Sequence, residues 1–168
     1  MARSIEADPI VEAYHLWVDN GWEDCAAGVT AVTSLMRVHQ VLTKRADQIL
    51  APIGLTFSRY ELLVRLSEAP CGQVRMSTLA EQVGSSKSRI SHQIGRMEKA
   101  GLARRQECPG DRRGVFAVLT DHGLEVLRSA APTHLRGVRD NLIDLLSDQE
   151  RLVLAEMFER VLSHLRAR

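Results

Sequence analysis

"GSSKSRISHQIGRMEKAGL", residues 84–102, is the stretch from which the rest of this chain can be read. Ile90, Ile94 and Met97 fall at i, i+4 and i+7, the spacing of one face of an α-helix. Ser86 stands where a hydroxyl can accept from an orphan amide of the first turn, and Gly101 stands where a helix stops in the left-handed conformation. A rotation of about 100° per residue places Ser88, His92, Gly95 and Lys99 opposite the apolar stripe. Ser91 lies on one edge of that outer face, Arg89 and Arg96 on the other. One side of the helix enters a core and the other presents positive charge. The spacing also predicts a short helix over 77–83, joined to this one by a turn at Gly84. Two helices across a glycine turn, the second with a basic outer face, form the helix-turn-helix pattern.

The residues on either side extend the pattern. "LARRQEC" (102–108) and "GVFAVLT" (114–120) read as short strands bridged by the turn "PGDRR" (109–113). A basic hairpin placed directly after the second helix is a wing, and Arg104 and Arg105 read as solvated strand residues that add to its field. Upstream, residues 24–50 carry Val29, Val32, Met36, His39, Leu42, Ala46, Ile49 and Leu50 at helical spacing. "APIGLT" (51–56) ends that helix. Thr56 or Ser58 can cap the next one, which runs to about residue 68, and Ser58 with Glu61 also fits a capping box. After Thr120 the chain returns to helix, with a kink or break expected near 128–131 because Pro132 removes a hydrogen bond. The last helix opens on the capping box of Ser147 and Glu150 and aligns Leu154, Met157, Phe158, Val161, Leu162 and Leu165. These end helices carry more apolar surface than a small winged-helix core can cover, so a second copy of the chain is the simplest partner.

Composition narrows the function. The 168 residues are 45% hydrophobic and 26% charged, which suits one globular domain. "MARSIEADPI" puts charges where a signal peptide needs an apolar run, and no stretch is long and apolar enough to span a bilayer. A cytoplasmic protein without membrane association is expected. Cys25, Cys71 and Cys108 form no C-x-x-C pair, and no two histidines stand three or four residues apart, so neither a disulfide framework nor a metal site is suggested. No phosphate-binding glycine loop, H-E-x-x-H or nucleophile elbow appears, so neither an enzyme nor a cofactor is expected. The net charge is only +1, yet residues 84–114 hold eight basic side chains against three acidic ones. A basic segment on an acidic body is the footprint of a nucleic-acid contact, because neutralising phosphates releases counterions.

Terminal helices around a central winged helix resemble the MarR (multiple antibiotic resistance regulator) family of bacterial transcription factors. Three stretches carry the resemblance: "LAEQVGSSKSRISHQIGRMEKAGLARR", "PGDRRGVFAVLTDHG" and "LSDQERLVLAEMFERVL". It implies a mainly α (α+β) fold, a winged helix-turn-helix with flanking terminal helices forming a dimerisation region. Within a single domain, it divides the chain into an N-terminal extension (1–23), a dimerisation helix (24–56), the winged helix-turn-helix (57–119) and dimerisation helices (120–168). It further implies a homodimer on a near-palindromic double-stranded operator, with the two winged helices about one DNA turn, roughly 34–36 Å, apart. Carried over by position, Ser86, Lys87, Ser88, Arg89, Ser91, His92 and Arg96 form the major-groove surface. In the wing, Arg113 enters the minor groove, Asp111 orients it and Arg112 lies near a phosphate. Of these, Arg89 is the best base reader, since a guanidinium forks onto guanine O6 and N7. Gly95 fits either close approach to DNA or plain tolerance.

The resemblance also implies control, by a small molecule that relieves repression or by a thiol. No pocket residue can be read from the sequence. Tyr14, Trp17 and Trp22 lie in the extension and suit packing on a partner subunit or a ligand lid. Cys25 is the candidate for a redox-sensing alternative, with Glu23 and Asp24 opposing its thiolate. A winged helix used for protein contact is the other alternative.

Overall fold

The computed structural model describes residues 9–108 and 111–167, with the side chains of 9 and 111–113 outside the described set. The helices are α1 (Pro9–Asp19), α2 (Glu23–Leu50), α3 (Phe57–Glu68), α4 (Met76–Gln82), α5 (Lys87–Lys99), α6 (Asp121–Asn141) and α7 (Asp148–Arg166). The strands are β1 (Gln73–Arg75), β2 (Ala103–Cys108) and β3 (Asp111–Leu119), forming one antiparallel sheet in the order β1-β3-β2. The chain divides into two compact units, residues 1–45 and 46–168, with α2 running through the boundary.

The second unit is organised around α5. Ile90, Ile94 and Met97 are buried as their spacing requires, and Ser86 caps the helix by accepting from the Arg89 amide at 3.2 Å. Gly101 adopts φ 71° and Leu102 returns its amide to the Met97 carbonyl at 2.9 Å, the helix stop read from "AGL". Gly84, at φ 60°, makes the turn from α4. Leu50, Leu62, Leu63, Leu66 and Leu79 complete the fully buried centre with Ile94 and Met97.

Other expectations are adjusted. Thr56 alone caps α3: its backbone is extended and its hydroxyl accepts from the Arg59 amide at 3.3 Å, while Asp47 Oδ1 accepts from the Phe57 amide at 2.7 Å. With the first turn satisfied there, Ser58 lies inside the helix and makes no capping box. Its hydroxyl accepts from Gln93 Nε2 at 3.1 Å, linking α3 to α5. The sequence showed no strand at 73–75. Three residues are too few to display alternation, and β1 exists through its pairing of Val74 with Ala117. β3 begins at Asp111 rather than Gly114, so "DRR" belongs to a strand and not to the turn, and the register shifts between Glu107 and Cys108. The break expected at Pro132 is not present. α6 continues through it, because proline's fixed φ suits a helix and buried Leu127, Ala130 and Gly137 anchor the helix on both sides.

Thr120 and Gly123 explain why "LTDHG" follows the wing. The Thr120 hydroxyl donates to the Gly101 carbonyl at 2.6 Å and accepts from the Gly123 amide at 2.9 Å, so one side chain fastens the end of α5 to the start of α6. A Cβ at position 123 would overlap the Leu102 carbonyl, and this approach of two backbones requires glycine.

α7 opens on the capping box, Ser147 amide to Glu150 Oε2 at 2.8 Å and Glu150 amide to Ser147 Oγ at 3.3 Å. The Ser147 hydroxyl, donating to Glu150 Oε2 at 2.7 Å, and then the Ser147 amide hold the Glu150 carboxyl below its ordinary pKa. No residue of α7 is buried, and Leu152, Met157, Val161 and Leu165 are exposed. In the first unit, Gly21 turns α1 into α2 at φ 79°, the rings of Trp17 and Trp22 lie 4.9 Å apart, and Val32, Leu35, Met36, Val38 and Val41 are exposed along α2. No helix among the described residues is long and apolar enough to cross a membrane.

Candidate nucleic-acid interface

Burying Ile90, Ile94 and Met97 fixes the rotation of α5, and that rotation turns Ser86, Lys87, Ser88, Arg89, Ser91, His92 and Arg96 to the exposed side. Seven expected contact residues thus share one surface. Their side chains are not equivalent: the Ser86 hydroxyl is engaged in the cap, and Ser91 accepts hydrogen bonds from Arg105. The wing follows at once, with β2 and β3 paired from Ala103 to Leu119. Arg112, Arg113 and Asp111 stand at the start of β3, and their side chains lie outside the described residues.

Arg105 is exposed on β2, as a solvated strand residue should be, and it also reaches across to α5. Its Nη2 donates to the Ser91 carbonyl at 2.6 Å and to Ser91 Oγ at 3.2 Å, and its Nη1 pairs with Glu98 Oε2 at 3.3 Å. Its backbone amide donates to Glu98 Oε1 at 2.7 Å. A Cβ on Gly95 would sit 3.5 Å from Nη2, an ordinary contact, so the guanidinium passes over this position without requiring glycine there. Sequence reading missed Arg105 because its partners are on another element. The available signal was that Ser91, Gly95 and Glu98 fall at i, i+4 and i+7, a second helical edge beside the apolar one.

Between α5, the start of α4 and the wing lies an open recess of about 580 Å³, lined among others by Arg75, Ser77, Lys87, Ser91, Arg105 and Val115. Arg75 was also not singled out in the sequence. Its guanidinium lies 5.6 Å from the Phe116 ring centroid and its Nη2 is 3.2 Å from Cys108 Sγ. Arg75, Lys87 and Arg105 thus line one concavity beside the exposed face of α5, with Arg105 already paired to Glu98. A larger groove, of about 870 Å³ and lined in part by Arg65, Glu68, Arg75, Glu81 and Arg166, carries both signs of charge and favours neither.

The remaining candidates have less structure around them. Cys25 is exposed in the first turn of α2 beside Glu23 and Asp24. Among the described residues, no group of three or more His, Cys, Asp and Glu side chains could hold a metal ion. On α6, His134 lies between the rings of Tyr60 (4.4 Å) and Phe57 (5.8 Å). Burial lowers the His134 pKa and raises that of Tyr60.

Known proteins match this arrangement. The MarR family model matches residues 55–115, the segment from the entry to α3 through the wing. The fold is similar to that of AbsC, a MarR family transcriptional regulator from Streptomyces coelicolor, with a TM-score of 0.77 and 46% identity over 82% of this chain and 93% of that one. It is similar to Sco3205, a MarR family regulator from the same organism solved in complex with DNA, with a TM-score of 0.76 and 38% identity over 80% of this chain and 86% of that one. In sequence, the chain is 26% identical to the HTH-type transcriptional regulator PecS of Dickeya dadantii (strain 3937), over 98% of each protein. A winged helix with an exposed basic helix, matched in fold and sequence along most of its length, places the chain in the MarR family, whose members are transcriptional regulators and not enzymes.

Proposed function

We propose that this chain is a homodimeric, sequence-specific DNA-binding transcriptional regulator acting in the cytoplasm, a repressor whose hold on its operator is relieved by a small molecule. The observation that carries the DNA reading is the exposed face of α5, where Lys87, Arg89 and Arg96 stand beside a wing while the opposite face is buried. In this reading α5 enters the major groove. Arg89 reads a base edge, Ser88 and His92 lie against neighbouring bases, and Lys87, Arg96, Ser86 and Ser91 face the backbone. At the wing, Arg113 enters the minor groove with Asp111 orienting it, and Arg112 lies near a phosphate. The DNA complex of Sco3205 supports the partner by similarity.

The uncovered apolar faces of α2 and α7 support the dimer, since exposed stripes of this kind are covered by a second copy in most soluble oligomers. The terminal segments 24–56 and 120–168 then form the dimerisation region, 57–119 the reading head and 1–23 an extension. Repression needs only occupancy of the operator. An effector that changes the separation of the two heads would lift it.

The test is a titration, by fluorescence anisotropy, of duplexes spanning the region upstream of the chain's own gene. Affinity should fall steeply with salt, and Arg113→Ala should weaken it strongly. Absent or salt-insensitive binding across that region would overturn the reading.

A further inference from the structure

We propose that Arg105 is a positioning residue for DNA recognition, one that clamps the wing to α5 and so fixes the spacing between the groove contacts each makes. The inference rests on the DNA reading above and goes beyond it, because Arg105 lies outside the face that reading uses.

One side chain meets three successive turns of α5: the carbonyl and hydroxyl of Ser91, the bare backbone at Gly95 and the carboxylate of Glu98. At its other end it belongs to the middle of the wing, where Arg105 pairs with buried Ala117 of β3. Glu98 grips both parts of the same residue, the backbone amide with Oε1 and the guanidinium with Oε2. Rotation or sliding of the hairpin along α5 would break all of these contacts together. The pair is not buried, with 38% and 29% of the two side chains exposed, and ion pairs this open add little to stability. Its geometry therefore matters more than its energy. Only a planar fork can face Ser91 and Glu98 at once, which a lysine ammonium cannot.

The experiment measures binding of Arg105→Gln, Arg105→Lys and Glu98→Gln to two probes, the duplex best enriched from a randomised library and a random duplex of equal length, across a salt series. Thermal unfolding and circular dichroism confirm that each variant is folded. All three variants should lose about 5- to 100-fold in affinity for the enriched duplex, the scale of one lost base-pair contact, with little change for the random duplex. The slope of log K against log salt should stay at the wild-type value in Arg105→Gln. Glu98→Gln is decisive in sign: removing a negative charge beside DNA strengthens binding on electrostatic grounds, whereas a loosened wing weakens it.

If Glu98→Gln binds more tightly, Arg105→Lys binds like wild type and Arg105→Gln lowers the salt slope by about one, then Arg105 is a phosphate contact and the clamp is refuted. A wild-type chain that binds neither probe would instead overturn the DNA reading itself.

Discussion

Gly123→Ala sets two physical effects against each other. Alanine in a helix is favoured over glycine by about 0.5–1 kcal/mol, so propensity alone makes the substitution stabilising. The structure reverses the sign. A Cβ at 123 would occupy the space of the Leu102 carbonyl and press on Leu119, and a backbone oxygen cannot rotate aside. Overpacking of this kind costs about 1–3 kcal/mol. Moving α6 away to relieve it would also strain the Thr120 bonds to Gly101 and Gly123, each worth about 0.5–1.5 kcal/mol. Set against propensity, the net loss is about 1–5 kcal/mol. Gly95→Ala is the matched control. Its new Cβ would meet Arg105 at 3.5 Å, an ordinary contact, so propensity should prevail and stability should rise by up to about 1 kcal/mol. Urea unfolding followed by circular dichroism, at one fixed protein concentration because the folded state is proposed to be dimeric, measures both variants. A Gly123→Ala variant as stable as wild type would refute the claim that the two backbones touch there.

Further outcomes follow from the same structure. Arg89→Ala should cost about 1–3 kcal/mol of operator affinity and relax specificity at one base position, while Lys87→Ala should weaken all duplexes alike and lower the salt slope by about one; base-substituted operators titrated against each variant separate the two. Val161→Glu puts a charge in the exposed apolar stripe of α7 and should shift the chain from the proposed dimer to monomer in sedimentation equilibrium. His134 has a folded pKa below its unfolded value of about 6.5, so burial favours its neutral form. The stability that depends on it is complete above the unfolded pKa and declines as pH falls below that value toward the folded pKa. Denaturation between pH 7.5 and about 5 should show a loss in wild type that His134→Gln reduces, and superimposable pH profiles would exclude the histidine as the source.

Which parts of this molecule were legible in the sequence depended on whether the signal was local. The stripe Ile90, Ile94, Met97 sets a rotation by itself, so the exposed face of α5 could be read before the fold was known. Ser86, Ser147 with Glu150, and Gly101 are local in the same way, since a cap or a stop involves residues within one turn. What depended on another element was hidden. β1 is defined by Ala117, more than 40 residues away, and Ser58 faces Gln93 on α5 rather than its own helix end. Arg105 is exposed as read, but its partners Ser91 and Glu98, which reach it across the turn that leads into the wing, were not legible. At Pro132 a local rule predicted a kink or break, and the helix runs through it unbroken, with buried residues on both sides. The identity of an effector needs groups brought together from distant segments, and no local pattern reports it.

Hydroxyl-radical footprinting of the enriched operator tests the central claim of two linked reading heads most directly. The expected pattern is two equivalent protected stretches on one face of the duplex, centred about 10–10.5 base pairs apart, appearing together as protein is added. A single protected stretch, or uniform protection without a phase, would contradict it.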